Sequence, residues 1–206
     1  MDAGGRRIET IVLAAGMGRR FGGSSLKPLA AVHGRPMVVE TLDRLRRGGA
    51  KHIVIVVGRG ADAVREAIEH GFPQAGREFA FVRNRGYTGG LASSLRVGID
   101  AADSDAAGCL IHHADRPFIE PCTVAHILAV AGGGAQAVVP RFREQPGFPV
   151  YISAEVLAAV RPTLRGDQGA RRFLRAHDEI VTYLDVEDRG VVEDADTPAD
   201  LERSLM

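Results

Sequence analysis

Apolar residues in this chain fall in short dense blocks separated by stretches with helical spacing, and that alternation sets the expected architecture. Ile8 to Leu13 carries Ile11, Val12 and Leu13 and stops abruptly at Ala14-Ala15-Gly16, which predicts a buried strand followed by a loop. The permissive segment through Gly16, Gly18, Gly22, Gly23, Ser24 and Ser25 ends at Lys27-Pro28. Pro36 is then expected to open a helix with Met37, Val38, Thr41, Leu42 and Leu45 on one face. The same unit recurs as a strand over His52 to Val57, a helix over Ala61 to His70 and a strand over Phe79 to Val82.

A second glycine-bearing loop, Asn84 to Gly90, leads into a predicted helix over Leu91 to Ala101 and a strand over Gly108 to His113. Pro121 starts a further helix that stops in Gly132-Gly133-Gly134, and Ala135 to Pro140 reads as the next strand. Helices are expected at Ala154 to Val160, Gln168 to Ala176 and Pro198 to Leu205, with strands near Val150 and over Ile180 to Leu184. Nearly all-apolar strands alternating with helices predict an α/β, Rossmann-like domain with a mostly parallel sheet covered on both faces. Ligands then bind beyond the carboxyl ends of the strands.

Composition narrows the class without changing that picture. At 206 residues, 45% hydrophobic and 25% charged, the chain matches one ordinary globular domain spanning 1–206. Lys plus Arg equals Asp plus Glu at 26 each, so no global field favours nucleic acid or a membrane surface. No run approaches the roughly 20 apolar residues that span a bilayer, and no signal peptide is read at the polar N-terminus. Cys109 and Cys122 lack metal-type spacing, so a reducing, cytoplasmic setting is expected.

The chemistry concentrates in three places. In the loop Leu13 to Gly22 and on to Lys27, backbone N–H groups can approach a polyphosphate while Arg20 and Lys27 supply charge-assisted hydrogen bonds. A dinucleotide fingerprint would want glycine where Phe21 stands and a helix directly after, and a P-loop would want Gly-Lys-Ser/Thr. Asp115 is set at a strand end before Arg116-Pro117, where a carboxylate suits Mg²⁺, although a helix cap or surface turn would use the same residue. His112 and His113 face opposite sides of that strand, so at most one can reach the same site. Near the end, Glu193-Asp194-Ala195-Asp196-Thr197-Pro198 can cap a helix or bring a second carboxylate to Asp115.

Leu13 to Lys27 resembles the N-terminal signature of the MobA-like nucleotidyltransferase family, and further segments resemble its molybdenum cofactor cytidylyltransferase branch. Asn84 to Ile99 is similar to the family's base-binding loop and following helix, and Pro146-Gly147-Phe148-Pro149 to its substrate-side Gly-x-Pro element. Gly166-Asp167-Gln168-Gly169-Ala170-Arg171 resembles the branch's Gly-Asp-x-Gly-Ala-Arg stretch. The resemblance implies that Leu13, Ala14, Ala15, Gly16 and Gly18 frame base and ribose with Gly90 and Ser94, while Arg20 and Lys27 hold the triphosphate. It implies Asp115 as a Mg²⁺ ligand with Asp194 or Asp196 as the second carboxylate, and Gly147, Asp167 and Arg171 facing the acceptor.

On that basis the expected reaction is transfer of CMP from CTP to a phosphorylated acceptor, molybdopterin carrying molybdenum, with pyrophosphate leaving. Ala15, where guanylyl-transferring relatives carry glycine, is the hint toward a pyrimidine nucleotide. A molybdenum hydroxylase or its chaperone would be the delivery partner. The sequence departs from the branch in a longer loop between Gly22 and Lys27, in His113-Ala114 before the aspartate and in Arg116 after it. Leu26-Lys27-Pro28-Leu29 leans toward sugar-phosphate nucleotidyltransferases, which keeps a sugar or other small phosphate as the alternative acceptor. A nucleotide-binding regulator without catalysis is the alternative from another class.

Overall fold

The computed structural model describes residues 5–16, 18, 26–197 and 200. The first strand, β1 (Ile8–Ala14), is buried along its whole length. After a 3-10 turn over Lys27–Leu29 comes a small antiparallel hairpin, β2 (Ala31–Val32) and β3 (Arg35–Pro36). Then follow α1 (Met37–Arg47), β4 (Ile53–Val57), α2 (Ala61–Gly71), β5 (Phe79–Arg83), α3 (Leu91–Ala101), β6 (Gly108–His113) and α4 (Pro121–Gly132). The last part holds β7 (Ala137–Phe142), β8 (Gln145–Pro146), β9 (Val150–Ser153), α5 (Ala154–Val160), α6 (Arg171–Ala176) and β10 (Val181–Asp185).

Among the described residues the main sheet has the order β10-β7-β9-β6-β1-β4-β5, with β8 paired to β7. The strands β5, β4, β1 and β6 run parallel, as do β7 and β10. The chain first builds outward from β1 through β4 to β5, then returns to place β6 on the other side of β1. This reversal opens a crevice beyond the carboxyl ends of β1 and β6, where a doubly wound sheet binds its ligands.

The sheet is mostly parallel, as expected, and strand β9 departs from that direction: it enters antiparallel between β6 and β7. The cause is local. Arg143 and Glu144 both adopt positive φ, 47° and 65°, and so close a tight hairpin between β7 and β8. A connection that short can only return the chain antiparallel.

The core divides between the two faces of the sheet. On one, Val12, Ile53, Ile55 and Leu110 pack against α1, α2 and α4 through residues such as Leu42, Ile68 and Ile127. On the other, Ile11, Val54, Val56 and Ile111 meet α3, α5 and α6 through Leu95, Val160 and Leu174. Alternate strand residues thus fill both layers, which is why the strands read as unbroken apolar runs.

Several boundaries differ from expectation. Pro36 closes the small hairpin with extended ψ of 136° and α1 begins at Met37. Strand β7 starts two residues later than predicted and runs on to Phe142. The helix expected from Gln168 begins only at Arg171, because the Arg165–Gln168 bridge and the positive φ of Gly166 make a turn there instead. The predicted helix over Pro198 to Leu205 lies outside the described residues apart from Asp200. No helix among the described residues is long and apolar enough to cross a membrane.

Candidate active site

The ends of β1 and β6 deliver two segments to the crevice side by side, since Leu13 pairs with His113 in register. A cavity of about 220 Å³ forms over them. Its wall includes Leu13, Ala14, Ala15 and Gly16 from the end of β1, and Gly90 and Ser94 from the start of α3. Lys27, Asp115 and Asp167 complete the expected set that it brings together. Pro28, Tyr87, Leu91 and His113 also line it, none of which the sequence singled out for that role. Arg20 lies outside the described residues. Gly18 is described, with φ of +59° and its Cα facing the Lys27 side chain.

At the floor, the ammonium of Lys27 donates to Asp115 Oδ2 and to Asp196 Oδ1, each at 2.6 Å. The Lys27 side chain is only 12% exposed, so this is a partly desolvated cation held between two carboxylates. Burial alone would lower the lysine pKa, but Asp115 and then Asp196 outweigh it and the net shift is upward. For Asp115, burial works to raise the pKa, while the positive charge that His113 carries when protonated, together with Lys27 and Arg116, carries the net shift downward. Both partners are therefore held in their ionised forms.

Asp194 takes a different course. Its Oδ2 accepts from Arg116 Nη2 at 3.2 Å, while Arg116 Nη1 also donates to the carbonyls of Glu193 and Val191. Arg116 thus fastens the 191–194 segment, and it is Asp196 rather than Asp194 that reaches the Lys27 ammonium beside Asp115. The two carboxylates and Lys27 make an oxygen-rich cluster of net negative charge. Among the described residues no cluster of three or more His, Cys, Asp or Glu side chains forms a closed cage. Two carboxylates with open positions fit a hard divalent cation that shares its remaining positions with phosphate and water.

Asn84 shapes the upper wall. Its side-chain amide donates to Ser93 Oγ and Ser94 Oγ at 2.9 and 3.0 Å, and its carbonyl accepts from the Gly86 backbone N–H. Ser94 is accordingly buried and anchored, with its place in the wall fixed by Asn84. Gly90 has φ of +92°, and a Cβ there would meet the Gly166 carbonyl oxygen at 2.5 Å. Asp167 Oδ1 accepts from the Leu91 N–H, so this carboxylate sits at the start of α3 and not at the helix that follows it in sequence.

A second cavity of about 400 Å³ adjoins the first and shares Leu13, Leu91, His113 and Asp167 with it. Its lining is chiefly apolar, from Leu95, Ile111, Val150 and Ile152 among others, with a cationic edge of Arg171, Arg172 and Arg175. The Phe148 ring lies 4.6 Å from the Arg171 guanidinium and 5.0 Å from that of Arg116, with His113 edge-on at 4.5 Å. Arg171 donates to the Pro146 carbonyl, and its buried Nε has no hydrogen-bond partner. Burial, and after it the charges of Arg116 and Arg175, lowers the Arg171 pKa. Gly147 lines neither cavity: a Cβ there would strike the Val191 backbone at 2.2 Å, so packing against the 189–191 turn demands glycine.

The family described as "MobA-like NTP transferase domain" matches residues 10–180. The chain is 32% identical to nicotine blue oxidoreductase of Paenarthrobacter nicotinovorans, over 96% of each chain. It is also 32% identical to 2-C-methyl-D-erythritol 4-phosphate cytidylyltransferase of Streptomyces coelicolor, over 91% of this chain and 73% of that one. Among solved structures, Rv0371c of Mycobacterium tuberculosis H37Rv superposes with a TM-score of 0.80 at 29% identity, over 97% of this chain and 98% of that one. The same protein in complex with manganese superposes at 0.77 and 27% identity, over 96% and 97%.

Proposed function

Because the chain belongs to the MobA-like NTP transferase family, a nucleotidyltransferase family, we propose that it transfers CMP from CTP to the phosphate of molybdenum-loaded molybdopterin, releasing pyrophosphate. The observation that carries the reading is the Lys27–Asp115 pair in the wall of one cavity, with Asp196 bonded to the same ammonium, directly beside a second cavity edged by Arg171.

In this reaction an acceptor phosphate oxygen attacks the α-phosphorus in line, a P–O bond forms there, and the bond to the β-phosphate oxygen breaks. Both reactants are anions, so the barrier is chiefly repulsion and alignment. Lys27 is the cation of this floor that can turn to the triphosphate oxygens and neutralise charge as the bond breaks. Asp115 and Asp196 would hold Mg²⁺, which supplies Lewis-acid neutralisation of the phosphate oxygens when bound. The manganese complex of the M. tuberculosis neighbour supports a divalent cation of this hardness. No side chain need remove a proton, because a phosphate acceptor is already ionised near neutral pH.

The apolar lining of the second cavity and the Phe148 ring favour an acceptor with a flat, poorly hydrated body, as a pterin has, over a polyol. Arg171, a half-buried cation with an unpartnered Nε, favours an anionic group on it. A small sugar or polyol phosphate is the second reading, which the similarity to the Streptomyces cytidylyltransferase supports. The oxidoreductase name of the Paenarthrobacter relative raises a redox activity. A lysine clamped by two carboxylates at the strand ends suits phosphoryl chemistry better than hydride transfer.

The test is pyrophosphate release by purified protein with Mg²⁺, screening CTP, GTP, ATP and UTP against molybdopterin and sugar-phosphate acceptors, with nicotinamide oxidation followed in parallel. Release with CTP and molybdenum-loaded molybdopterin is expected. Release only with a sugar or polyol phosphate would replace the acceptor. Tight CTP binding with no turnover would leave a regulator, and nicotinamide oxidation without release would overturn the transferase reading.

A further inference from the structure

The turn that carries Asp115 is held at three successive carbonyls, each from a different part of the chain. Ala114 O accepts from Thr41 Oγ1 at 3.0 Å, Asp115 O from the Ala195 N–H at 2.9 Å, and Arg116 O lies 3.0 Å from His112 Nε2. A carbonyl can only accept, so Nε2 carries the proton. The ring is neutral, because full burial drives its pKa down to about 3, and Nδ1 is then a bare acceptor with no partner.

His112 has no route to a substrate. It is fully buried and alternates along β6 with His113, which lines the cavities on the opposite face of the strand. A half-satisfied imidazole is a poorer core filler than leucine, since one of its nitrogens stays buried without a hydrogen bond. What it supplies that leucine cannot is the bond to the Arg116 carbonyl. That carbonyl belongs to the Arg116–Pro117 peptide, one residue after Asp115, which meets Lys27. It follows directly on Arg116, whose side chain fastens Asp194 and the carbonyls of Val191 and Glu193.

We propose that His112 is a positioning residue for the Asp115 carboxylate: its Nε2–H, bonded to the Arg116 carbonyl from the buried side of β6, fixes the turn so that Asp115 and Asp196 face one cation. The inference rests on the reading of Asp115 as a ligand of the divalent cation. Outer-shell partners that orient a metal ligand are worth about 10- to 100-fold in metal affinity.

The experiment measures Mn²⁺ binding by electron paramagnetic resonance on the full chain, together with kcat and KM for pyrophosphate release and thermal unfolding. It compares wild type, Asp115→Asn, His112→Gln, His112→Asn and His112→Leu. A glutamine amide nitrogen reaches about where Nε2 stands, whereas an asparagine amide stops near Nδ1. His112→Asn and His112→Leu are expected to lose about tenfold or more in Mn²⁺ affinity and in kcat, with KM for CTP within about twofold. His112→Gln is expected to stay within about threefold of wild type. If His112→Leu fails to fold, the pair of amides carries the test. Equal Mn²⁺ affinity in His112→Gln and His112→Asn, with Asp115→Asn impaired, overturns the role of His112 alone. Wild-type Mn²⁺ affinity in Asp115→Asn removes the metal-ligand reading and the positioning role with it.

Discussion

The Lys27 ammonium stands 2.6 Å from Asp115 Oδ2, although 88 residues separate the two in sequence, and an equal contact joins it to Asp196. A lysine there has two possible tasks: balancing the two carboxylates and gripping a triphosphate. A divalent cation bound by the same carboxylate oxygens competes with the ammonium for them, since two like charges cannot share that space without strong repulsion.

Lys27→Met is therefore expected to move two affinities in opposite directions. CTP binding should weaken by about tenfold or more, because a charge-assisted contact is lost, while Mn²⁺ binding without nucleotide should tighten by roughly tenfold. Calorimetric titration of each ligand checks both. Weaker Mn²⁺ binding in the variant would mean that the ammonium organises the carboxylates instead of competing for them.

The carboxylates should separate by role. Asp115→Asn and Asp196→Ala are each expected to reduce kcat by about 10² or more with the fold intact by circular dichroism. Asp194→Ala should cost less than about fivefold, because its partner is Arg116, which keeps its bonds to the carbonyls of Val191 and Glu193. Steady-state pyrophosphate release distinguishes them, and equal losses at 194 and 196 would refute the assignment.

The acceptor cavity predicts a split in kinetic constants. Arg171→Met removes a half-buried cation beside Phe148, and should raise KM for the acceptor by about tenfold while KM for CTP stays within about twofold. Comparable changes in both constants would place Arg171 outside the acceptor side.

Buried histidine gives a pH dependence whose sign can be worked out. The folded-state pKa of His112 lies near 3 against an ordinary 6.5, so between those values the unfolded chain binds the extra proton. Stability from this group is complete above about pH 6.5 and declines as pH falls toward 3. Denaturant unfolding of His112→Gln between pH 7 and pH 4 should show a shallower fall than wild type. Parallel curves would mean that His112 titrates normally in the folded protein.

Gly90→Ala tests the joint between α3 and the 166–167 turn. The residue has φ of +92°, and a Cβ would sit 2.5 Å from the Gly166 oxygen and 2.6 Å from Asp167 Oδ1. A loss of about 1–3 kcal/mol in unfolding free energy is expected, read from urea midpoints.

Local sequence determined the elements, because apolar blocks of strand length and helical faces such as Met37, Thr41, Leu42 and Leu45 must be buried wherever the chain places them. It also marked Lys27 and Asp115, since a glycine loop and a carboxylate at strand ends carry their chemistry in the residue type and the position. What it left open was decided by contacts across the sheet. Strand β9 runs antiparallel because two left-handed residues close a hairpin. Asp196 and not Asp194 shares the Lys27 ammonium with Asp115, and Arg116 takes the other carboxylate. Asp167 serves the helix that begins 76 residues earlier, which no local pattern could announce. Alternation along β6 showed only that at most one of His112 and His113 reaches the site; that His113 lines it and His112 is turned away, bonded to the Arg116 carbonyl, is decided once the turn after β6 has folded back over the ring. Periodicity is a property of neighbours along the chain, whereas charge pairing and the satisfaction of buried polar atoms depend on which segments the packed sheet brings within 3 Å of each other.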